Sequence, residues 1–272
     1  MKQIIVLLWV IIFILLVVNK FLINNFSIDN LKHSDIIFIH IGKTGGSTFY
    51  IPFKFKQQHM IKAKYIPNKK YIISIRHPIS RFVSAYNNLL LSIKTPYGIQ
   101  FSQLEHPASQ FINQRNKTNR KYTFNEDTDE AIKYFTDVNH FAENIFSDDI
   151  KVKKYINIIL NTKHVLRGIG WYLYNGEFIE KYHNDIIYVT KTKTLDNDIQ
   201  NVSKLINFPI GDYKFRRNAD GYMKISKYLS PLAIDNIKKL LKDTDYKTLE
   251  IMNKYDLIDD DYLQYCYEYE NK

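Results

Sequence analysis

An apolar run that leads directly into a glycine-rich loop is the feature that most constrains how this chain folds. Residues 36–41 read IIFIHI, a buried-strand pattern rich in β-branched side chains, and the loop GKTGGST follows at residues 42–48. Adjacent glycines let the backbone turn tightly and aim successive N–H groups at one point. The loop therefore predicts a phosphate-like anion held at the start of a helix. The residues expected to bind that anion are Lys43, Thr44, Gly45, Gly46, Ser47 and Thr48.

Further apolar patterns place this loop in an α/β fold. Residues 71–75 and 186–190 have strand character. Strands that alternate with helices form mainly parallel sheets whose two faces are both covered by helices. We therefore predict a P-loop-like, three-layer α/β fold with a central, mainly parallel sheet. Helical spacing of apolar residues predicts helices over 79–93, 129–146, 195–206 and 231–241, the last with Ser230 as N-cap and Pro231 at N1.

A second anion-binding group follows the second predicted strand. Arg76 ends that strand, and the helix that begins after Pro78 carries Ser84, with Arg81 as a further candidate cation. The carboxyl ends of parallel strands share one edge of a sheet, so Arg76 and Lys43 are expected to face the same crevice, with Ser84 reaching back to the anion. Two anion sites on neighbouring strand ends predict a nucleotide that carries phosphates at both ends.

The two motifs, in this order, resemble those of the carbohydrate sulfotransferases. Residues 38–48, FIHIGKTGGST, are similar to the family's 5′-phosphosulfate loop, usually PKTGGTS after a strand. Residues 75–86, IRHPISRFVSAY, are similar to its 3′-phosphate segment, commonly RDPxxRFxSAY. The chain departs from the family at Gly42, where proline is usual, and at His77, where an acidic residue is usual. Weaker similarity to membrane-anchored and bacterial relatives covers residues 139–146 and 164–173.

The resemblance, closest to the membrane-anchored heparan-sulfate and chondroitin enzymes, implies a reaction. A sulfuryl group would pass from 3′-phosphoadenosine 5′-phosphosulfate, as co-substrate, to a hydroxyl or amine of a glycan, without a metal and without nucleic acid as a partner. Lys43 would then be catalytic, because it stabilises the charge on the leaving 5′-phosphate. In such relatives a histidine or a glutamate between the motifs deprotonates the acceptor, and His59 is the one histidine there. The alternative is that His59 has only a surface or packing role. His40, inside the first strand, is expected to be buried and hydrogen-bonded.

Two other functions fit the same pattern. A P-loop nucleotide kinase shares the architecture, but its G-x-x-x-x-G-K-[ST] loop needs a glycine where this chain has Ile37, and its Mg²⁺ needs a strand-end aspartate. The second alternative function is that of a non-catalytic, membrane-anchored protein that binds glycans and has kept the fold. The aromatic segment 171–174 fits stacking on sugars as well as core packing. The basic turn 215–218 fits closure over a nucleotide as well as an exposed turn.

The N-terminal segment predicts a membrane anchor. Residues 4–18 are an unbroken apolar run, and a helix over 4–23 would span about 30 Å, the thickness of a bilayer's hydrocarbon core. No small-x-small cleavage site follows, which favours an uncleaved anchor over a cleaved signal peptide. We expect residues 1–23 to be the anchor, 24–34 a stalk and 35–272 the sulfotransferase domain. The domain would lie on the luminal side of a Golgi-like membrane in type II orientation, or be anchored in a microbial or viral membrane.

Composition adds three constraints. The net charge of +10 fits an anionic partner, of which the donor accounts for a part and an acidic glycan or compositional bias for the rest. Cys266 is the one cysteine, so the chain has no internal disulfide and no C-x-x-C motif. The sequons at Asn25, Asn116 and Asn201 are about as many as chance gives and do not decide the compartment.

Overall fold

A four-stranded parallel sheet is the centre of the described structure, a computed structural model that describes residues 31–94, 126–162, 164–211 and 226–271. The strand order is β2-β1-β3-β4, and all three pairings are parallel. The predicted mainly parallel sheet is confirmed, as are its three predicted strands. The strands are β1 (Ile36–His40), β2 (Lys56–His59), β3 (Lys70–Ile75) and β4 (Ile186–Lys191).

Strand β2 was not predicted from the sequence. It reads KQQH and lies at the edge of the sheet, where β1 is its one neighbour among the described strands and two of its four residues are exposed. An edge strand of polar residues has no apolar run to reveal it, because its outer side faces water. Its last residue, His59, pairs in register with His40 of β1.

The order of the strands creates a crevice between β1 and β3. The chain leaves β1 toward β2 on one side, whereas it leaves β3 toward β4 on the other side. Ligands of open α/β sheets bind at this kind of switch point, outside the carboxyl ends of the strands. The glycine-rich loop follows β1, and Arg76 follows β3, so the two predicted anion-binding groups lie on the two sides of the crevice.

Helices surround the sheet, and most of those predicted are confirmed. Residues 129–146 are the exception, because they form two helices instead of one. The Asp137 side chain accepts a hydrogen bond of 2.9 Å from the backbone N–H of His140 and starts a new helix there. The helices are α1 (Gly46–Phe53), α2 (Pro78–Lys94), α3 (Glu126–Tyr134), α4 (Val138–Glu143), α5 (Ile150–Leu160), α6 (Ile169–Tyr172), α7 (Glu177–Tyr182), α8 (Leu195–Leu205), α9 (Pro231–Leu241), α10 (Lys247–Lys254) and α11 (Asp260–Tyr267). A π-helical turn, Lys242–Tyr246, joins α9 to α10.

Both faces of the sheet are covered by apolar side chains, which gives the three layers. Alternate strand residues such as Phe38 and Ile72 pack with α1 and α8 on one face. Their neighbours, such as Ile39 and Ile73, pack with α6, α7, α10 and α11 on the other face. A third cluster, which takes no residue from the strands, joins α2, α3, α4, α5 and α9. The loop and strand ends are thereby fixed to a rigid frame.

The predicted anchor, residues 1–23, lies outside the described residues, as do residues 24–30 of the stalk and the turn at 215–218. No helix within the described ranges combines the length and the apolar character that crossing a bilayer requires. The membrane anchor therefore stays a prediction.

Candidate functional site

The glycine-rich loop is built around a buried threonine. The Thr44 hydroxyl donates to the Ile41 carbonyl at 2.7 Å and lies 2.7 Å from the Ser74 hydroxyl of β3. The hydroxyl of Thr192, which follows β4, donates to the Thr44 carbonyl at 2.8 Å. These bonds tie the loop to the ends of two other strands. A contribution of Thr44 to anion binding would come from its backbone N–H, because its hydroxyl is engaged within the fold.

Two glycines of the loop are required for different reasons. Gly45 has φ of +77°, a left-handed conformation that favours glycine. Gly46 begins α1, and a Cβ atom there would lie 2.0 Å from Cδ2 of the His40 ring. The second glycine therefore lets the helix start directly against His40. Ser47 is exposed and Thr48 half-buried in the first turn of this helix, where backbone N–H groups point outward.

Lys43 and Arg76 come together across the crevice. The Lys43 Nζ donates to the Asn88 side-chain oxygen of α2 at 3.0 Å, and Arg76 Nη1 donates to the Lys43 carbonyl at 3.3 Å. Burial, and then the neighbouring Arg76, lower the pKa of Lys43 to about 8. Neither cation forms an ion pair with a carboxylate in the described part of the chain. Two adjacent, half-buried cations of this kind attract an anionic ligand.

Helix α2 places Ser84 on the same side as Asn88. Residues four apart on a helix lie one turn apart on one face, and Asn88 contacts Lys43. Ser84, which is half-buried, therefore lies on the crevice side of the helix, one turn nearer to Arg76. Asn88 was not predicted from the sequence, although its position four residues after Ser84 was a signal for it.

Arg81 does not belong to the crevice. Its side chain is 1% exposed, and its two terminal nitrogens donate to the carbonyls of His164 at 2.7 Å and Val165 at 2.8 Å. Its Nε lies 3.6 Å from the buried Asp245 carboxylate. The prediction that Arg81 helps to bind the donor is wrong, because the helix turns this position into the protein, where it holds the segment that begins at His164.

Three imidazoles lie side by side at the ends of β1 and β2. The His59 ring stacks on His40 with a centroid distance of 4.0 Å and lies 5.8 Å from the ring of His164. His59 Nδ1 is 2.8 Å from the His40 carbonyl oxygen. A carbonyl oxygen only accepts, so Nδ1 carries the proton of the neutral ring and Nε2 is its basic nitrogen. His164 was not predicted as a site residue, because it comes from a segment that is distant in the sequence.

Burial keeps two of these rings neutral. His40 is 8% exposed, and its Nδ1 lies 3.1 Å from the Gln57 side-chain oxygen, which confirms the buried, hydrogen-bonded role predicted for it. Burial, and then the proximity of His59, lower the pKa of His40 to about 3. Burial, with His59 and Lys43 nearby, lowers the pKa of His164 to about 4. Neither ring carries charge near neutral pH.

The two departures from the family pattern have local explanations. A Cβ atom at Gly42 would lie 2.1 Å from Nδ1 of His164, so glycine makes room for that ring. His77 Nε2 lies 2.9 Å from the Glu268 carbonyl oxygen, and its ring packs edge-on against Tyr265. His77 therefore holds the C-terminal segment against the start of α2.

Of the two roles predicted for the aromatic segment 171–174, core packing is confirmed for Tyr172. Tyr172 is buried in the core, and its hydroxyl accepts from the backbone N–H of Met60 at 3.2 Å. Trp171 is half-buried beneath the guanidinium of Arg167, which lies 4.9 Å from the ring centroid. Tyr174 is exposed, with the Lys62 Nζ 4.7 Å from its ring centroid. The core packing therefore belongs to Tyr172, whereas Trp171 and Tyr174 lie nearer the surface, and stacking of these two rings on sugars stays a prediction.

Fold and geometry together define a class: an α/β protein with a glycine-rich loop and two adjacent cations at the switch point of a parallel sheet. The model of the Sulfotransferase family matches residues 50–268, so the chain belongs to this family. The match includes His59, Arg76 and Ser84 and begins just after the glycine-rich loop. No curated protein and no solved structure gives a significant match.

Among the described residues, no set of three or more His, Cys, Asp or Glu side chains is placed to hold a metal ion. The prediction that none is needed stays a prediction.

Proposed function

We propose that this protein transfers a sulfuryl group from 3′-phosphoadenosine 5′-phosphosulfate to a hydroxyl or amine of a glycan. The observation that carries the proposal is the convergence of Lys43 and Arg76 at the crevice between β1 and β3, with His59 at the end of the adjacent strand. Family membership supports sulfuryl transfer as the class of reaction. Family membership also favours a sulfotransferase over a P-loop kinase. The sequence adds a second argument, because the kinase loop would need a glycine where this chain has Ile37.

The donor would bridge the two sides of the crevice. The loop from Lys43 to Thr48 offers one lysine and the N–H groups at the start of α1 to the 5′-phosphosulfate. Arg76 and Ser84 offer a guanidinium and a hydroxyl to the 3′-phosphate. Asn88 accepts from the Lys43 Nζ, so it fixes where that charge lies before the donor binds.

The reaction would be an in-line displacement at sulfur. His59 Nε2 takes the proton of the acceptor hydroxyl, whose oxygen forms the new S–O bond. The S–O bond to the 5′-phosphate breaks, and the leaving nucleotide, 3′,5′-ADP, keeps its electron pair. Lys43 stabilises the charge that develops on this leaving group, and a preorganised donor of this kind contributes on the order of 3 kcal/mol. A histidine base suits the step because its ordinary pKa is near neutrality.

Aromatic and basic side chains near the segment that follows His59 support a glycan acceptor. The segment after His59 is bound to Tyr172 through the Met60 N–H at 3.2 Å and through the Ala63 N–H, which donates to the Tyr172 carbonyl at 2.8 Å. Trp171 and Tyr174 flank Tyr172 and lie under cationic side chains. Exposed rings stack on the apolar faces of sugars, and cations nearby suit carboxylate or sulfate groups.

The apolar N-terminal run supports anchoring of the enzyme in a membrane, with the catalytic domain on the luminal side. A helix over residues 4–23 matches the thickness of the bilayer's hydrocarbon core, and no cleavage site follows it. This placement belongs to the same proposal, since a luminal domain would meet glycans there.

Transfer of labelled sulfate from the donor to an array of glycans tests the proposal. The full chain in EDTA is expected to label at least one glycan, whereas Lys43→Met is expected to lose this activity. His183→Asn serves as the control, because His183 precedes β4 at the opposite end of the sheet. Mg²⁺-dependent transfer of phosphate from ATP would instead support the kinase. Binding of 3′,5′-ADP without transfer to any glycan would support the non-catalytic alternative.

A further inference from the structure

We propose that His164 is a further catalytic residue of this site, and that its Nε2–H donates a hydrogen bond to the sulfuryl group during transfer. The inference rests on the function proposed above. It concerns a residue from outside the two motifs, which the tertiary structure brings between the glycine-rich loop and His59.

The position of the His164 ring is defined on two sides. Its Nδ1–Cε1 edge packs on Gly42, where a Cβ atom would lie 2.1 Å from Nδ1 and 2.7 Å from Cε1. Its centroid lies 5.8 Å from that of His59, with an angle of 26° between the rings. It is also close enough to Lys43 to interact with its charge. The ring therefore lies between the group that would hold the phosphosulfate and the group that would deprotonate the acceptor.

The packing on Gly42 also fixes which nitrogen carries the proton. Nδ1 is buried and has no hydrogen-bond partner among the residues described. The Gly42 Cα–H bond that replaces a Cβ points at Nδ1, so a hydrogen on Nδ1 would collide with it, whereas a lone pair accepts this weak contact. The proton of the neutral ring therefore lies on Nε2, which makes Nε2 a donor.

The backbone of His164 is held in an unusual conformation by buried charges. Its φ is +72°, in the left-handed region that is unfavourable for most side chains. Arg81 donates to the carbonyls of His164 and Val165, and Asp245 accepts from the Gly170 N–H at 3.0 Å. Strained residues that the surroundings hold this firmly are typical of functional sites.

The neutral His164 ring would stabilise the charge of the sulfuryl group during transfer. As the S–O bond to the 5′-phosphate breaks and the bond to the acceptor oxygen forms, negative charge lies on the three oxygens of the sulfuryl group. The His164 Nε2–H stabilises that charge and keeps its own proton, while the acceptor proton passes to His59 and the electron pair leaves with 3′,5′-ADP.

His164→Asn separates this role from a structural one. Asparagine tolerates the left-handed backbone, and its short side chain fills the place of Nδ1 without reaching that of Nε2. We expect kcat on the best glycan of the array to fall about 100-fold, the effect of removing one preorganised donor. The Kd of 3′,5′-ADP should stay within about twofold, since the lost interaction is made with the sulfuryl group alone. His183→Asn is the matched control and should behave as wild type.

Nitrogen NMR of the histidine side chains in the wild-type chain gives a second readout that does not depend on folding of the variant. The Nε2–H signal of His164 should move when the intact donor binds and stay in place when 3′,5′-ADP binds. A kcat within about threefold of wild type for His164→Asn overturns the inference. So does an Nε2–H signal that is the same in both complexes. In either case the loss of transfer in Lys43→Met would still uphold the proposed function, whereas a wild-type chain that binds neither nucleotide would overturn both.

Discussion

At the scale of single residues, Lys43 is the most informative side chain. Burial and Arg76 lower its pKa to about 8, so it starts to lose its proton just above physiological pH. An anionic nucleotide favours the protonated amine, which means that binding takes a proton up once the pH exceeds that pKa. We expect the Kd of 3′,5′-ADP to rise up to about tenfold per pH unit above 8, as measured by calorimetry.

Two variants check that this dependence comes from Lys43. Lys43→Arg should keep the affinity constant across the same range, because a guanidinium stays charged. Lys43→Met should bind weakly at every pH. The assignment would be contradicted if Lys43→Met kept the wild-type slope.

The predicted base, His59, allows a similarly selective substitution. His59→Asn keeps a side-chain N–H for the His40 carbonyl, which His59 Nδ1 holds at 2.8 Å, and removes the basic Nε2. We expect kcat to fall about 100-fold or more, the range for loss of a general base, while the melting temperature falls only slightly because the stacking of His59 on His40 is lost. Steady-state kinetics and thermal unfolding measure the two quantities. Activity near the wild-type level would show that another group deprotonates the acceptor.

At the scale of secondary-structure elements, the start of α1 depends on the absence of a side chain. A Cβ atom at Gly46 would lie 2.0 Å from the His40 ring, so Gly46→Ala should force this ring or the helix to move. Overpacking of this kind costs about 1–3 kcal/mol of the free energy of unfolding, which urea denaturation measures. The double variant Gly46→Ala/His40→Ala should recover part of the loss, because the colliding ring is gone. If the double variant instead lost as much free energy of unfolding as the two single variants together, this explanation would be contradicted.

A buried ion pair connects α2 to the segment of His164. Arg81 and Asp245 are both about 1% exposed, and their side chains lie 3.6 Å apart. Asp245→Leu should lower the free energy of unfolding by about 3–5 kcal/mol, because it leaves the Arg81 charge buried without a partner. The double variant Arg81→Met/Asp245→Leu should be less destabilised than the sum of the single variants. Urea denaturation of the three variants measures this coupling, and its absence would show that each residue acts through other contacts.

At the scale of the whole molecule, the donor would bridge the carboxyl ends of β1 and β3 and the starts of the helices α1 and α2 that follow them. Binding to the folded state alone stabilises it by about 2.7 kcal/mol when the ligand concentration is 100 times the Kd. For a protein of this size we expect 3′,5′-ADP to raise the melting temperature by roughly 5–10 °C. Lys43→Met should show a much smaller shift at the same concentration. An equal shift in both proteins would place the nucleotide somewhere other than the crevice.

Much of the fold could be predicted from the sequence, because its central elements carry strong local patterns. Strand β1 and helix α2 were predicted nearly to their ends from apolar runs, helical spacing and a proline. Strand β2 was not, because its residues are polar, and the break before α4 was not, because one aspartate side chain decides it. Local sequence patterns indicate which secondary structure a segment favours, but a single side-chain contact can change the structure that forms.

The sequence by itself determined that a glycine-rich loop and an arginine follow neighbouring parallel strands, and this placement is what predicts an anion site. The tertiary structure decided which other side chains share it. It placed Arg81 in the interior instead of the crevice, and it brought His164 against Gly42 and His59. The physical reason is that a motif fixes the backbone of its own segment, whereas contacts between distant segments depend on how all the layers pack together.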